Sequence, residues 1–159
     1  MCLINQLRGL HHLRVLGANR CLQRVATGQV RQMVRLNYFA DVRPSGQTPG
    51  ALIASTGYAA HAASLATGEN IGWGTGPEAT PASMVAGWMA SPSHRALLLG
   101  RAFHDIGAGV VPRLPWRLGR LGAVYAVEFG ARAGGSPSFA WSSEGSRGGH
   151  VFRHRWRRR

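Results

Sequence analysis

Apolar residues recur at intervals of three and four along one stretch of the chain: Leu22, Val25, Ala26, Val30, Met33 and Val34. That spacing predicts an amphipathic helix, and Asn19 stands where an N-cap belongs. Arg20, Arg24, Arg31 and Arg35 lie mainly off the stripe and read as a solvated face. Gly28 inside the helix costs about 1 kcal/mol relative to Ala, so the helix must lean on packing. A short helix is expected at Ile4–Arg8, followed by an extended connector through Leu13, Val15 and Leu16. Thr48-Pro49 and Thr80-Pro81 each read as N-cap plus first helical position. Leu52 and Ile53 would pack the first of these helices, and Gly57 would end it. Met84, Val85, Trp88 and Met89 would bury the second, which Ser91-Pro92 breaks.

Toward the C-terminus the pattern changes to short apolar runs. Asp105 to Pro112 and Ala123 to Phe129 read as strands, joined across the basic turn Arg113–Arg117. The segment Gly74-Thr75-Gly76-Pro77, entered at Trp73, reads as a glycine-rich loop. It has neither the spacing of a phosphate loop nor that of a dinucleotide fold, so a nucleotide site is not expected. Helices followed by strands imply a sheet covered by helices. From Gly134 onward Gly and Ser dominate, then His150, His154, Trp156 and five closely spaced Arg. Such a composition cannot bury enough apolar surface to order itself, so residues 133–159 are expected to be a flexible tail on a domain spanning 1–132.

The length of 159 residues and an apolar content of 45% suit one domain with a real core. No run approaches the ~18–20 apolar residues of a membrane span. All 19 basic residues are Arg, and against 6 acids they leave a net charge of +13. This charge serves solubility or attracts anionic surfaces and polymers. Without a recognised groove-binding module, nucleic acid is not the expected partner. Cys2 and Cys21 are too few for a disulfide framework; a pair in an oxidising compartment and two free thiols both remain open. No basic start followed by an apolar block opens the sequence. His11, His12 and His61 read as surface or filler residues, and His104 has no helical metal spacing to a partner.

Three segments carry a family likeness. They are Gly68-Glu69-Asn70-Ile71, then Trp88 with Ser91-Pro92-Ser93-His94-Arg95, then Ile106-Gly107-Ala108-Gly109-Val110. In this order they resemble the bacterial, SCP-like branch of the CAP superfamily, which holds the cysteine-rich secretory, antigen 5 and pathogenesis-related 1 proteins. The resemblance runs from about Asn5 to Arg132. It implies an α+β fold, a three-layer α/β/α sandwich with a central, mainly antiparallel sheet and a cavity above it. It also implies an extracellular or cell-envelope location, so the absent export signal leaves a cytosolic chain or one whose start lies downstream of that signal; we favour the second.

In the family the segment around residue 41 reads Phe-x-His-x-x-Pro-x-Gly. Phe39, Pro44 and Gly46 match, but Asp41 replaces the cavity histidine. Aspartate keeps the capacity to ligate zinc or calcium through oxygen and loses the proton shuttle near neutral pH. The change fits a hardened metal preference or a decayed site. Glu69 is the carboxylate that the resemblance points into the cavity; a structural role, accepting N–H bonds from a turn, is its alternative. His94 matches the family motif, with a loop anchor as its alternative. Ser91 takes the place of a second cavity glutamate.

The resemblance therefore implies a binding module with Asp41, Glu69 and His94 as metal ligands and Ser91 lining the cavity. Its ligand would be Zn²⁺, Ca²⁺ or a small molecule, with no cofactor required, and its partner a lipid, peptide or envelope polymer. A monomer is expected. The alternative is a hydrolase of peptide or cell-wall bonds, with Glu69 as general base and His94 as acid or metal ligand. No Ser–His–Asp triad is signalled.

Overall fold

The computed structural model describes residues 1–115 and 121–134. Five α-helices and four strands follow in chain order: α1 (Cys2–Leu10), β1 (Gly17–Ala18), α2 (Arg20–Leu36), α3 (Pro49–Ser55), β2 (Ala62–Thr75), α4 (Pro81–Ala90), α5 (Pro92–Leu98), β3 (Asp105–Val111) and β4 (Gly122–Gly134). The sheet order is β1-β3-β4-β2. β4 pairs antiparallel with both neighbours, and the short β1 pairs parallel with β3.

The helices cover both faces. On one face α2 supplies Ala26, Val30 and Met33 against Val124 and Ala126, while α3 packs Leu52 and Ile53 beside Leu22, Val25 and Tyr58. On the other, Ile4 of α1, Met84 and Trp88 of α4 and Leu98 of α5 meet Ile106, Val127 and Phe129. Strand alternation sends successive side chains to opposite layers. The arrangement is the expected α+β sandwich with a mainly antiparallel sheet.

Local signals explain the helix ends. Asn19 accepts hydrogen bonds from Cys21 N and Leu22 N, Thr48 from Ala51 N and Thr80 from Ser83 N. Asn37 closes α2 in the left-handed region at φ 55°. Ser91 both ends α4 and opens α5. Arg8 of α1 is buried, and its guanidinium donates to the carbonyls of Arg14, Leu98 and Gly100. It thereby ties α1 to the end of α5.

The expected loop at Trp73 is absent. β2 runs unbroken to Thr75, in register with β4 down to Gly122. Gly72 and Gly74 of this strand are packing devices, whereas Gly76, just past its end, has open space around it and a φ of 55°. A Cβ at Gly72 would fall 2.3 Å from Met84 Sδ, and one at Gly74 would fall 2.2 Å from the Glu78 carbonyl oxygen. β4 likewise outruns its expected end, reaching Gly134. Residues 116–120 of the basic turn, and the tail from 135, lie outside the described residues.

The tightest contact between layers is α2 on β3. A Cβ at Gly107 would lie 2.1 Å from Gln23 N, and one at Gly109 would lie 2.5 Å from the Ala26 carbonyl oxygen. Both neighbours are backbone, so neither can rotate away. Where β1 has ended, Gln23 takes its place along β3: its Oε1 accepts from Ala108 N at 3.1 Å and its Nε2 donates to the Ala108 carbonyl. A side-chain amide thus satisfies a strand edge that would otherwise lack a partner.

Gly107→Ala is expected to destabilise the fold by about 2–3 kcal/mol or more, the range for overpacking a site that cannot relax. Gly9→Ala, with open space at its Cβ position, should be neutral or slightly stabilising. Urea midpoints of the two variants against the parent check this; equal midpoints would mean that the α2–β3 contact is looser than described.

Candidate functional site

Glu69 on β2 is directly opposite Glu128 on β4. Both belong to the alternating set that includes Ile71, Trp73, Val124 and Ala126, which packs toward α2. A cross-strand pair on one face brings side chains within contact range. Two acids are thereby forced together beneath a helix. Glu128 is fully buried, and both carboxylate oxygens of Glu69 are buried as well. Among the described residues, none of these four oxygens meets a hydrogen-bond donor from another residue type. The alternative role for Glu69, accepting backbone N–H bonds from a turn, is therefore not what the structure shows. β2 continues through this position, and its N–H groups belong to the ladder.

A third carboxyl joins from the loop after α2. Gln29, completely buried, donates from Nε2 to the carbonyls of Ala40 and Asp41, each at 3.0 Å, and its Oε1 accepts from Arg43 Nε at 3.0 Å. One side chain thus pins the loop on both sides of residue 41. Asp41, half-buried, lies within hydrogen-bonding reach of Glu69 and within the field of His94. His94 is half-buried on α5, and Asn70 Nδ2, next to Glu69, donates to its backbone carbonyl at 3.1 Å. The groups run from a buried floor at Glu128, through Glu69, to Asp41 and His94 nearer the surface.

Ionised carboxylates only accept hydrogen bonds, so these three can bond to one another only if a proton is present. Their acidities reflect this. Burial first, then the charge and hydrogen bond of Glu128, then those of Asp41, hold Glu69 well above the usual carboxylate range. Burial pushes Glu128 up to about 7, against the downward pull of its bond from Glu69 and of Arg43. Burial also raises Asp41, offset by the Glu69 hydrogen bond and the His94 charge. Its raised proton affinity lets Glu69 donate to a neighbouring carboxylate, one acceptor at a time because a carboxyl carries a single O–H.

Ser91 is buried, and its hydroxyl lies 3.4 Å from Ser93 Oγ at the start of α5. Among the described residues no three His, Cys, Asp or Glu side chains are gathered so as to hold one metal ion. Asp41, Glu69 and His94 are neighbours in space, yet they do not form a ready-made ligand set for zinc or calcium. Cys2 and Cys21 are both free, and Cys21 Sγ donates to the Thr56 carbonyl at 3.5 Å. No described helix is long and apolar enough to cross a membrane.

Glu128 and Gln29 escaped the sequence reading, although each left a signal. Glu128 is the lone charge in the otherwise apolar run Ala123–Phe129, and Gln29 is a polar residue on the apolar stripe of α2. A polar group inside an apolar pattern marks a paired or functional position.

Comparison with known proteins places these residues in context. The family model of the cysteine-rich secretory protein family, CAP, matches residues 2–117. The chain is similar in structure to an outer surface protein from Borrelia burgdorferi, with a TM-score of 0.68 and 22% identity over 83% of this chain and 89% of that one. It is also similar to an extracellular protein containing an SCP domain from Bacillus anthracis, with a TM-score of 0.63 and 26% identity over 80% of this chain. A cysteine-rich secretory protein from Staphylococcus aureus gives a TM-score of 0.56 at 19% identity over 80% of this chain. The chain spans only 37% and 35% of the latter two. No curated protein matches it.

The raised carboxyl acidities set a sign for stability. A carboxyl whose folded pKa exceeds its unfolded value stabilises the fold while protonated. That contribution is full below the unfolded value, near 4.5, and is lost as pH rises through the folded value of about 7 for Glu128. Stability should therefore fall between about pH 5 and 8, by on the order of 2–3 kcal/mol. Glu128→Gln, which keeps a neutral group in place, should flatten this slope. Denaturant midpoints at about pH 5, 6.5 and 8 measure it, and parallel pH profiles for parent and variant would contradict the assignment.

Proposed function

Because the chain belongs to the cysteine-rich secretory protein (CAP) family, we propose that it is a ligand-binding module working at the cell surface or outside the cell. The recognition site in this reading is the acid row Asp41, Glu69 and Glu128, with His94 at its edge. One observation carries it: four buried carboxylate oxygens that no donor outside the acid row reaches. Leaving buried polar atoms unsatisfied costs about 1–3 kcal/mol per group. A fold retains such groups where a ligand completes them, and strained or unpaired groups gather at functional sites.

The donor-poor floor selects for ligands rich in N–H or O–H groups, such as a peptide or a glycan of the cell envelope. A resident zinc or calcium ion is not required by this reading, since the side chains do not gather as a ligand set. The outer-surface and extracellular descriptions of the two structural neighbours support the location.

A hydrolase reading is favoured by one feature, the separation of protonation states among adjacent carboxyls. It requires roles other than those expected from sequence. In it Glu69, whose proton affinity is raised, would donate a proton, and the less buried Asp41 would accept one.

Thermal shift and calorimetry with short peptides and peptidoglycan fragments test the two. Under the binding reading, members of this panel stabilise the protein and are recovered intact. Glu69→Gln should then weaken their affinity by about tenfold or more, because its amide puts an N–H group where ligand donors need an acceptor. Equal affinity for the parent and Glu69→Gln would remove the acid row from recognition, and cleaved fragments would favour the hydrolase.

A further inference from the structure

The outer face of α2 carries an open groove of about 430 Å³, lined by Arg20, Gln23, Arg24, Thr27, Gly28 and Arg31. We propose that this groove is a docking surface for a linear polyanion bearing repeated phosphates. The proposal stands apart from the acid row, which faces the opposite side of the same helix.

Charge and spacing carry the argument. Arg20, Arg24 and Arg31 are all exposed, and positions four and seven apart return to one helix face. At 1.5 Å per residue the row from Arg20 to Arg31 is about 16 Å long. A single phosphate engages one or two guanidinium groups, whereas a row of this length matches several successive charges on a chain. Among the described residues the one ion pair joins Arg132 to Asp105, so none of these arginines is neutralised by a carboxylate there.

The floor is prearranged. Both ends of the Gln23 amide are engaged with Ala108, and its Nε2 also lies 3.4 Å from Thr27 Oγ1. Gly28 presents no side chain, and Arg43 Nη2 lies 3.3 Å from where its Cβ would stand. A fourth guanidinium therefore lies close to Gly28, the bare point of the lining. A surface that is fixed before binding loses less entropy on docking.

The lining also discriminates among anionic partners. It contains no large apolar side chain to insert among lipid tails, which disfavours a bilayer. It contains no aromatic ring on which a base could stack, which disfavours single-stranded nucleic acid. A flexible phosphate polymer needs neither.

Inorganic polyphosphate is a suitable probe, titrated into the full chain by calorimetry at several salt concentrations. Arg20, Arg24 and Arg31 are changed together to Gln in one variant. A matched control changes Arg14, Arg101 and Arg113, exposed arginines elsewhere, so that both lose the same charge. The groove variant should bind about tenfold or more weakly, and the slope of log affinity against log salt should become shallower by about 2, taking about 0.7 per lost phosphate contact. The control should stay within about threefold of the parent, a margin set by the long-range field alone, and thermal melts should show both variants folded. Equal weakening in the two variants, or no binding by the parent, overturns the proposal. Groove-dependent binding to phosphatidylglycerol vesicles or duplex DNA, with polyphosphate binding unaltered, would overturn the choice of a phosphate polymer.

Discussion

The contact on which the structure depends is backbone against backbone, α2 lying on β3 at Gly107 and Gly109. Side chains normally hold a helix away from the sheet it covers. Removing two Cβ atoms lets the helix settle closer, and this depth determines what its other residues can reach. Gln23 can replace the missing neighbour of β3 because it starts low over the strand edge. Gln29 reaches the 40–43 loop from a fully buried position. Gly107 is itself opposite Glu128 in the β3–β4 register, so the empty position beside the buried acid is part of the same device.

That device confines the acids in a place where water cannot solvate them. Isolated ionised carboxylates in such a setting are very unfavourable, and the fold answers by retaining a proton. The acid row is thus a local conflict between charge and burial inside an otherwise consistent fold. Loop residues are the ordinary place for reactive side chains; here the two most buried carboxyls come from paired strands, which hold position better than loops do. Asp41 is the exception, and the three hydrogen bonds of Gln29 supply the rigidity that its loop lacks.

Much of the architecture was legible in the sequence because local chemistry and tertiary structure agree. The Asn19, Thr48 and Thr80 caps, the α2 stripe and the Ser91-Pro92 break each report a short-range preference that packing then reinforces. The long β2 strand, Ala62–Thr75, was not legible as a strand, since its glycines read as turn residues until Met84 and Glu78 are seen pressing on them. The site was half legible. Asp41, Glu69 and His94 came from a family likeness, and the structure places Asp41 beside Glu69 and within the field of His94. Glu128 is specified by register alone, and register between strands far apart in the chain is set by the whole sheet rather than by either sequence segment.

α2 therefore separates two opposite electrostatic environments across the width of one helix. Its inner side covers the carboxyls of Glu69 and Glu128, and its outer side exposes a row of guanidinium groups. Arg43 links them: it is bound to Gln29, lies against Gly28, and pulls the Glu128 pKa down. Its position explains why Gly28 is tolerated in mid-helix despite its poor propensity, since a larger residue would press on the Arg43 guanidinium. The fold thus sets one cation between the bare position of the helix and the buried acids, where it lowers the proton affinity of Glu128.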